Sequence, residues 1–413
     1  MLVSLKSLFY KLASLGEDPI LAGLLGLLVY SAYAIHVNPD LEASNVNFYS
    51  YLADAFLHGQ LSLNTIPPGT HDLVYFNNQY FLYWPPMPAL MFVPYVALFG
   101  IGFNDIIFTL PFAALNITLV ALILRKVNKD GIVTVTPFQR SILVVFFAFG
   151  TVHFTVAPYG RVWFTGQVIG FFFMALAYLT AISLSGRAAF FLTGLAVACA
   201  FMSRNTILFA ALWPAIFLIS RNWHLGWRPL LRRALSGMIP VLLMGIVYLA
   251  YNWLRFGTPL ETGIQYQLMA PELLEHYEQY GMFNSHYLKT NFYYHYIYYP
   301  FPETGETLMG GSLFLLSPVF LLAFISIAKG KPRFLVSCLL ITILAVDLPI
   351  LLFNGTGWFQ FGPRYTLDFT LPLLLLTAIG LRWVPDWLLF VLSSISIAHF
   401  YKGMSILNMV WRI

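Results

Sequence analysis

The chain has 413 residues, 59% hydrophobic and only 9% charged, with 22 Lys and Arg against 17 Asp and Glu and a mean hydropathy of +0.75. A soluble domain carries about a quarter charged residues, so this composition excludes a soluble enzyme and defines a polytopic membrane protein. The positive surplus reads as a topology signal rather than a nucleic-acid footprint. Cys199 and Cys338 both lie in apolar segments, which speaks against a disulfide framework or a metal-thiolate site.

Lys6 and Lys11 precede the first apolar run, residues 19–37, and place the N-terminus in the cytoplasm. Ala32-Tyr33-Ala34 offers the alternative of a cleaved signal peptide. The loop from His36 to Pro88 then falls outside. It carries Asp40, Glu42, Asp54 and Asp72 and no Lys or Arg. Within it Asn45 is placed to cap a short helix ending at Gly59. Phe48, Leu52, Ala55 and Phe56 give that helix one apolar stripe, expected to rest in the outer leaflet.

The apolar stretch 87–99 is about half a span long and is expected to be interfacial or re-entrant. The next run, 106–124, ends at Arg125, Lys126 and Lys129, which belong inside. Further crossings are expected at 141–157, 166–184, 188–202, 207–219, 235–253, 307–327, 334–353, 367–381 and 387–400, about eleven in all. The inner loops then hold Arg140, Arg187, Arg221, Arg228, Arg232, Arg233, Lys329, Lys331, Arg333 and Arg382. The expected architecture is an all-α, multi-pass membrane protein, a single transmembrane domain over 1–413 with outer loops at 38–88 and 255–305. The absence of an internal repeat disfavours inverted-repeat transporters.

Hydrophilic material is concentrated outside, so the site is expected there. Asp40 and Glu42, just beyond the first span, suit a general base that takes a proton from an attacking hydroxyl or amine; the plainer reading is a solvated pair at a helix end. Asp54 sits on the short surface helix and points to water in the plainer reading. His71-Asp72 is able to contribute two metal ligands, though such a pair is usually only a loop feature. Arg161, Arg204, Arg255 and Arg364 lie near the outer face or within a span, where an Arg is costly and faces a partner or a polar cavity. Guanidinium suits bidentate phosphate binding; for Arg364 the alternative is an ion pair with Asp368 one turn on. The run Tyr293–Tyr299 with His295 reads as an interfacial belt or as a surface for stacking on a sugar. Asp347, late in its span, requires a partner.

The first-loop helix reads Tyr49, Ala53, Leu57, Gly59, and Pro85-Pro86-Met87-Pro88 enters the next apolar helix. With YNWLRFGTPLETG at 251–263 and QFGPRYTLDF at 360–369, this pattern resembles the GT-C glycosyltransferases, nearest the protein O-mannosyltransferase and aminoarabinose transferase group. The resemblance implies a retained first span and a sugar taken from a polyprenyl-phosphate carrier, usually with inversion, at an extracytoplasmic site in the inner (plasma) membrane. It implies an Asp of the first outer loop as base and outer-face cations on the carrier phosphate. The family's Asp position falls on Asn45, which cannot act as a base, so Asp40 with Glu42, or Asp54, is expected to take the role. Arg364 and Arg204 are the leading phosphate ligands, with Arg161, Arg255, Tyr49 and His58 as further substrate contacts. No nucleic acid is expected. A divalent metal, the acceptor, and oligomeric or envelope-assembly partners stay open. The competing readings are a lipid-linked sugar flippase or transporter and a non-catalytic subunit of the same fold.

Overall fold

The computed structural model describes residues 18–357 and 359–411; the orienting Lys6 and Lys11 lie outside the described residues. Helix α1 (Pro19–Val37) starts at Asp18, whose carboxylate accepts from the Ile20 and Leu21 amides, the usual capping of the orphan first-turn donors. Within the loop 38–88 lies α2 (Phe48–Leu57), and α3 (Met87–Phe99) begins at its end. Between them lies a hairpin, β1 (Val74–Phe76) with β2 (Gln79–Phe81). Its Asn77-Asn78 turn adopts φ of +49° and +60°, the left-handed geometry that a tight hairpin requires and Asn tolerates.

Next follow α4 (Asp105–Lys129), α5 (Pro137–Phe149), α6 (Val152–Val156), α7 (Val162–Ser183) and α8 (Gly186–Phe201). A 3-10 turn leads into α9 (Leu212–Arg221), and α10 (Trp227–Phe256) ends that half of the chain. The loop 255–305 contains α11 (Pro271–Tyr280) and α12 (Leu288–Phe292). Short α13 (Leu313–Leu316) and α14 (Ala323–Lys329) precede α15 (Arg333–Leu351), α16 (Leu367–Gly380) and α17 (Asp386–Trp411). Two further strands, β3 (Met309–Gly310) and β4 (Gln360–Phe361), pair in parallel.

Among the described residues eight helices are long and apolar enough to cross a membrane, and the chain is a multi-pass membrane protein. The shorter apolar helices Gly186–Phe201, Asn205–Arg221 and Pro318–Lys329 fall where further crossings were expected. The segment expected as one span at 307–327 is broken. Gly310 and Gly311 take φ of +145° and +140°, and Pro318 interrupts the ladder. Helix α3 is the expected half-length element.

The helices α1, α4, α7, α8 and α10 pack in that order as a row. Small residues set the close approaches: a Cβ on Gly23 would come within 2.0 Å of the Thr118 hydroxyl, and one on Gly194 within 1.9 Å of the Gly237 carbonyl. Such contacts suit a bilayer, where helices associate by packing rather than by exclusion of water. Behind the row, α16 is buried along its whole length, enclosed by α14, α15, α7 and the 3-10 turn before α9. Helix α17 packs on α5, and Gln139 of α5 donates to the Asp386 carboxylate at 2.9 Å.

One expectation is reversed in α2. Its stripe of Phe48, Leu52 and Ala55 is fully buried and packs on α3 instead of facing lipid. Burying the stripe against another apolar helix keeps the backbone of the half-span α3 covered by protein, which non-spanning backbone at that depth needs.

Candidate functional site

The start of α7, the end of α8, the end of α15 and the start of α16 converge beneath the loops 38–88 and 255–305. They leave a cavity of about 380 Å³ lined by Asp72, Trp84, Arg161, Trp163, Arg204, Gln267, Arg364 and Tyr365, among others. A smaller hollow of about 140 Å³ adjoins it, shares Tyr83, Trp84, Trp163, Arg204 and Tyr365, and runs on past Ser203, Thr206 and Ile350 between the helix ends.

Arg364 opens the turn that leads into the central helix α16. Its Nε donates to the Gly357 carbonyl at 3.1 Å and its Nη1 to Gln167 Oε1 at 3.3 Å, while Gln360 accepts from its backbone amide at 3.1 Å. The guanidinium lies 4.7 Å from the Tyr365 ring centroid and 5.7 Å from that of Phe164. It is only 7% exposed, and Nη2 has no hydrogen-bond partner among the described residues. Asp368 pairs with Arg204 and not with Arg364: Arg204 Nε donates to both its oxygens at 2.8 and 2.6 Å, and the Thr206 hydroxyl adds a third bond at 2.6 Å. Arg204 also lies 4.8 Å from the Tyr365 centroid. A buried guanidinium stacked on aromatics and held by neutral acceptors keeps a net positive charge for a ligand.

Arg161 enters the cavity from the turn before α7, and its backbone is bent to suit. Gly160 and Arg161 have φ of +62° and +63°, and a Cβ on Gly160 would come within 2.7 Å of the Asp105 carboxyl carbon. Asp105, at the start of α4, accepts from the Arg161 amide at 2.8 Å and from the Ser44 amide and hydroxyl at 2.9 and 2.5 Å. One buried carboxylate thus ties the loop after α1 to the loop that presents Arg161.

The carboxylate of the cavity is Asp72. It sits at φ +67°, held by the Leu268 carbonyl, which accepts from its amide at 2.9 Å. Trp163 Nε1 donates to its Oδ2 at 3.1 Å and Gln267 Nε2 to its Oδ1 at 3.2 Å, while His71 Nε2 lies 3.6 Å away. Burial pushes the Asp72 carboxyl above the ordinary range, against the opposing pull of His71, the Trp163 bond, Arg364 and the Gln267 bond. His71 and Asp72 are two donors, and no group of three or more His, Cys, Asp or Glu side chains occurs among the described residues. That set does not make a metal cage of ordinary coordination.

Several expected contacts are placed elsewhere. Asp40 and Glu42 are exposed and do not line the cavity; the Glu42 backbone is instead bound to the Asn38 side chain, at 2.7 and 3.2 Å. Asp54 and His58 form a local pair at the end of α2, with Asp54 Oδ1 3.6 Å from His58 Nδ1. Tyr49 is buried against Gly166, also off the cavity. Arg255 is buried but spoken for: it donates to the Leu82 carbonyl at 2.8 Å and to Asn252 at 2.7 Å, with its guanidinium 3.8 Å from the Tyr251 centroid. It clamps the loop-one hairpin. The tyrosine run folds as a π-turn, Tyr293–Ile297. Its His295 ring nitrogen lies 3.1 Å from the Thr356 carbonyl, bracing the loop that carries Arg364, and burial pushes its pKa down to about 4. Asp347 finds Tyr296. Trp163, Gln167 and Gln267 went unnoticed in the sequence, because nothing local marks them; each acts through a contact with a distant segment.

These features define a helical membrane protein with one arginine-rich, carboxylate-bearing cavity roofed by loops at one end of its bundle. No protein-family model and no curated protein sequence matches the chain. Among solved structures, ArnT from Cupriavidus metallidurans, bound to undecaprenyl phosphate, is similar with a TM-score of 0.52 at 14% identity, over 89% of this chain and 61% of that one. The apo oligosaccharyltransferase of Archaeoglobus fulgidus is similar with a TM-score of 0.45 at 11% identity, over 94% and 56%. The chain spans about three fifths of the length of these proteins. At such identity the likeness is one of fold, and the fold is GT-C-like.

Proposed function

We propose that the chain transfers a sugar from a polyprenyl-phosphate carrier to a lipid, glycan or protein acceptor at the outer face of the plasma membrane. The observation that carries this reading is the single hollow in which Asp72 faces Arg364, with Arg161 and Arg204 beside them. The fold and the lipid phosphate bound by ArnT support it. The adjoining hollow between the helix ends suits the first isoprene units of such a carrier.

In this reading Asp72, not Asp40, is the base. Its carboxylate accepts the proton of the acceptor hydroxyl or amine as that group attacks the anomeric carbon, and the bond from that carbon to the phosphate oxygen breaks on the opposite side. The Trp163 and Gln267 bonds fix the direction of the carboxylate, and its raised pKa makes it a stronger base than a solvated Asp. The charge returning to the phosphate is met by Arg364 Nη2 and by Arg161, cations already in place. Arg204, neutralised by Asp368, shapes the wall and holds Tyr365. No step is routed through a metal.

The test is turnover of radiolabelled undecaprenyl-phosphate sugars by purified protein in a lipid extract that serves as acceptor. Asp72→Asn is expected to lower transfer by roughly 10²–10⁴-fold, the range for loss of a general base, and Arg364→Lys by about 10²-fold, with melting temperature read alongside to confirm folding. Asp40→Asn is expected to stay active. Full activity in Asp72→Asn, or movement of the donor between leaflets without turnover, refutes the proposal.

A further inference from the structure

At the end of the bundle opposite the cavity, a second hollow of about 570 Å³ is lined by Lys329, Lys331, Arg382, Trp383 and the turn Gly131–Thr134. Two segments supply its three cations: Lys329 at the end of α14 with Lys331 in the turn that follows it, and Arg382 in the 3-10 turn after α16. No carboxylate lines it, and none of the three makes an ion pair among the described residues. The two acids nearby are engaged elsewhere. Asp130 binds Lys126 at 2.6 Å, and Asp386 accepts from Gln139 at 2.9 Å. Arg333 in turn caps the end of α14, donating to the Ile327 and Ala328 carbonyls, both at 2.7 Å, which leaves the lysines to the hollow.

The hollow continues into a mostly apolar groove of about 300 Å³ that shares Gly131 and Ile132 with it and is lined also by Asp130, the carboxylate bound by Lys126. Ile216 and Phe217 of α9 form one wall of the groove, and Leu335 and Cys338 of α15 the other. From Ser220 to Trp213 the groove follows α9 for about 10 Å into the bilayer, at 1.5 Å per residue. Cations at cytoplasmic helix ends are expected of any membrane protein. That rule does not ask three of them to converge, unpaired, on one hollow whose floor opens into an apolar slot. We infer that this is a binding site for one anionic glycerophospholipid, its phosphate held by Lys329, Lys331 and Arg382 and one acyl chain laid in the groove between α9 and α15. Basic pockets between helices on the cytoplasmic side are suited to such headgroups, and the groove selects a lipid over free phosphate.

The inference does not depend on the transferase reading, because its readout is binding. The full-length protein, delipidated in detergent, is given phosphatidylglycerol, phosphatidylcholine or inorganic phosphate, and bound lipid is read by native mass spectrometry with melting temperature alongside. Wild type is expected to retain one phosphatidylglycerol about tenfold better than phosphatidylcholine, the preference shrinking in 0.5 M salt as screening predicts. Lys331→Ala with Arg382→Ala is expected to lose that preference by roughly tenfold or more. Ile216→Phe, which fills the groove, is expected to weaken both lipids while leaving the charges intact. Equal retention of the two phospholipids by wild type overturns the inference without any variant having to fold. Equal retention of phosphatidylglycerol by the double variant overturns it as well. Stabilisation by inorganic phosphate that matches the lipid overturns the assignment to a lipid.

Discussion

Asp72 has no covalent neighbour that marks it as special; its environment is assembled by Trp163 from α7 and by Gln267 and Leu268 from the second outer loop. The acid limb of its titration is therefore a direct reading of that assembly. Because burial raises its pKa, and because the base must be ionised to accept a proton, kcat/KM for transfer is expected to fall as the pH drops through a value above the ordinary carboxylate figure of about 3.9. The stability sign is opposite. The folded chain holds this proton more tightly than the unfolded chain does, so acidifying through the folded pKa adds stability from Asp72 while removing activity. Replacing Gln267 by Ala removes one bond to the carboxylate, and the limb is expected to move further up. A limb at or below 3.9, unmoved in Gln267→Ala, would separate Asp72 from the chemistry. The arginines of the site were legible from the sequence, because a buried guanidinium is costly enough to demand a reason. Asp72 was legible only as half of a pair with His71. What distinguishes it from Asp40 is tertiary, and a loop sequence without an alignment carries no sign of that.

At the scale of elements, the membrane helices follow from hydropathy, and α3 was recognisable as too short to cross. The direction in which α2 buries its stripe was not, since lipid and an apolar helix face are nearly equivalent partners for Phe48 and Leu52. The break at Gly310, Gly311 and Pro318 was present in the sequence but was outweighed by the apolar run around it. The close crossing of α8 and α10 gives a test of packing that hydropathy does not offer. Gly194 and Gly245 are both helical glycines. A Cβ on Gly194 would strike the Gly237 carbonyl at 1.9 Å, whereas one on Gly245 meets nothing within 4 Å. Gly194→Ala is expected to destabilise by about 1–3 kcal/mol through forced separation of the helices. Gly245→Ala is expected to be neutral or to stabilise by up to about 1 kcal/mol by removing backbone freedom. Melting temperatures of the two variants in one detergent decide it; a drop of equal size in both refutes the role assigned to the crossing.

For the whole molecule, the arrangement of charge ties the two ends of the bundle together. Asp40, Glu42, Glu272, Glu275 and Glu278 lie at the cavity end, whereas Arg228, Arg232, Arg233, Lys329, Lys331 and Arg382 lie at the other. On the positive-inside rule we propose an orientation from this polarity: the basic end in the cytoplasm, the cavity facing outward. In the proposed orientation and function, the cavity would draw on carrier lipid in the outer leaflet and the basic hollow would meet lipids of the inner leaflet. The orientation is open to a direct check in whole cells. In a background with Cys199 and Cys338 replaced, a cysteine introduced by Glu278→Cys on exposed α11 is expected to react with a membrane-impermeant maleimide. One introduced by Arg232→Cys, exposed near the start of α10, is expected to react only after the cells are opened. The reverse pattern places the arginine cavity in the cytoplasm. Outer-leaflet transfer would then be excluded by geometry, even though every contact within the cavity stayed the same.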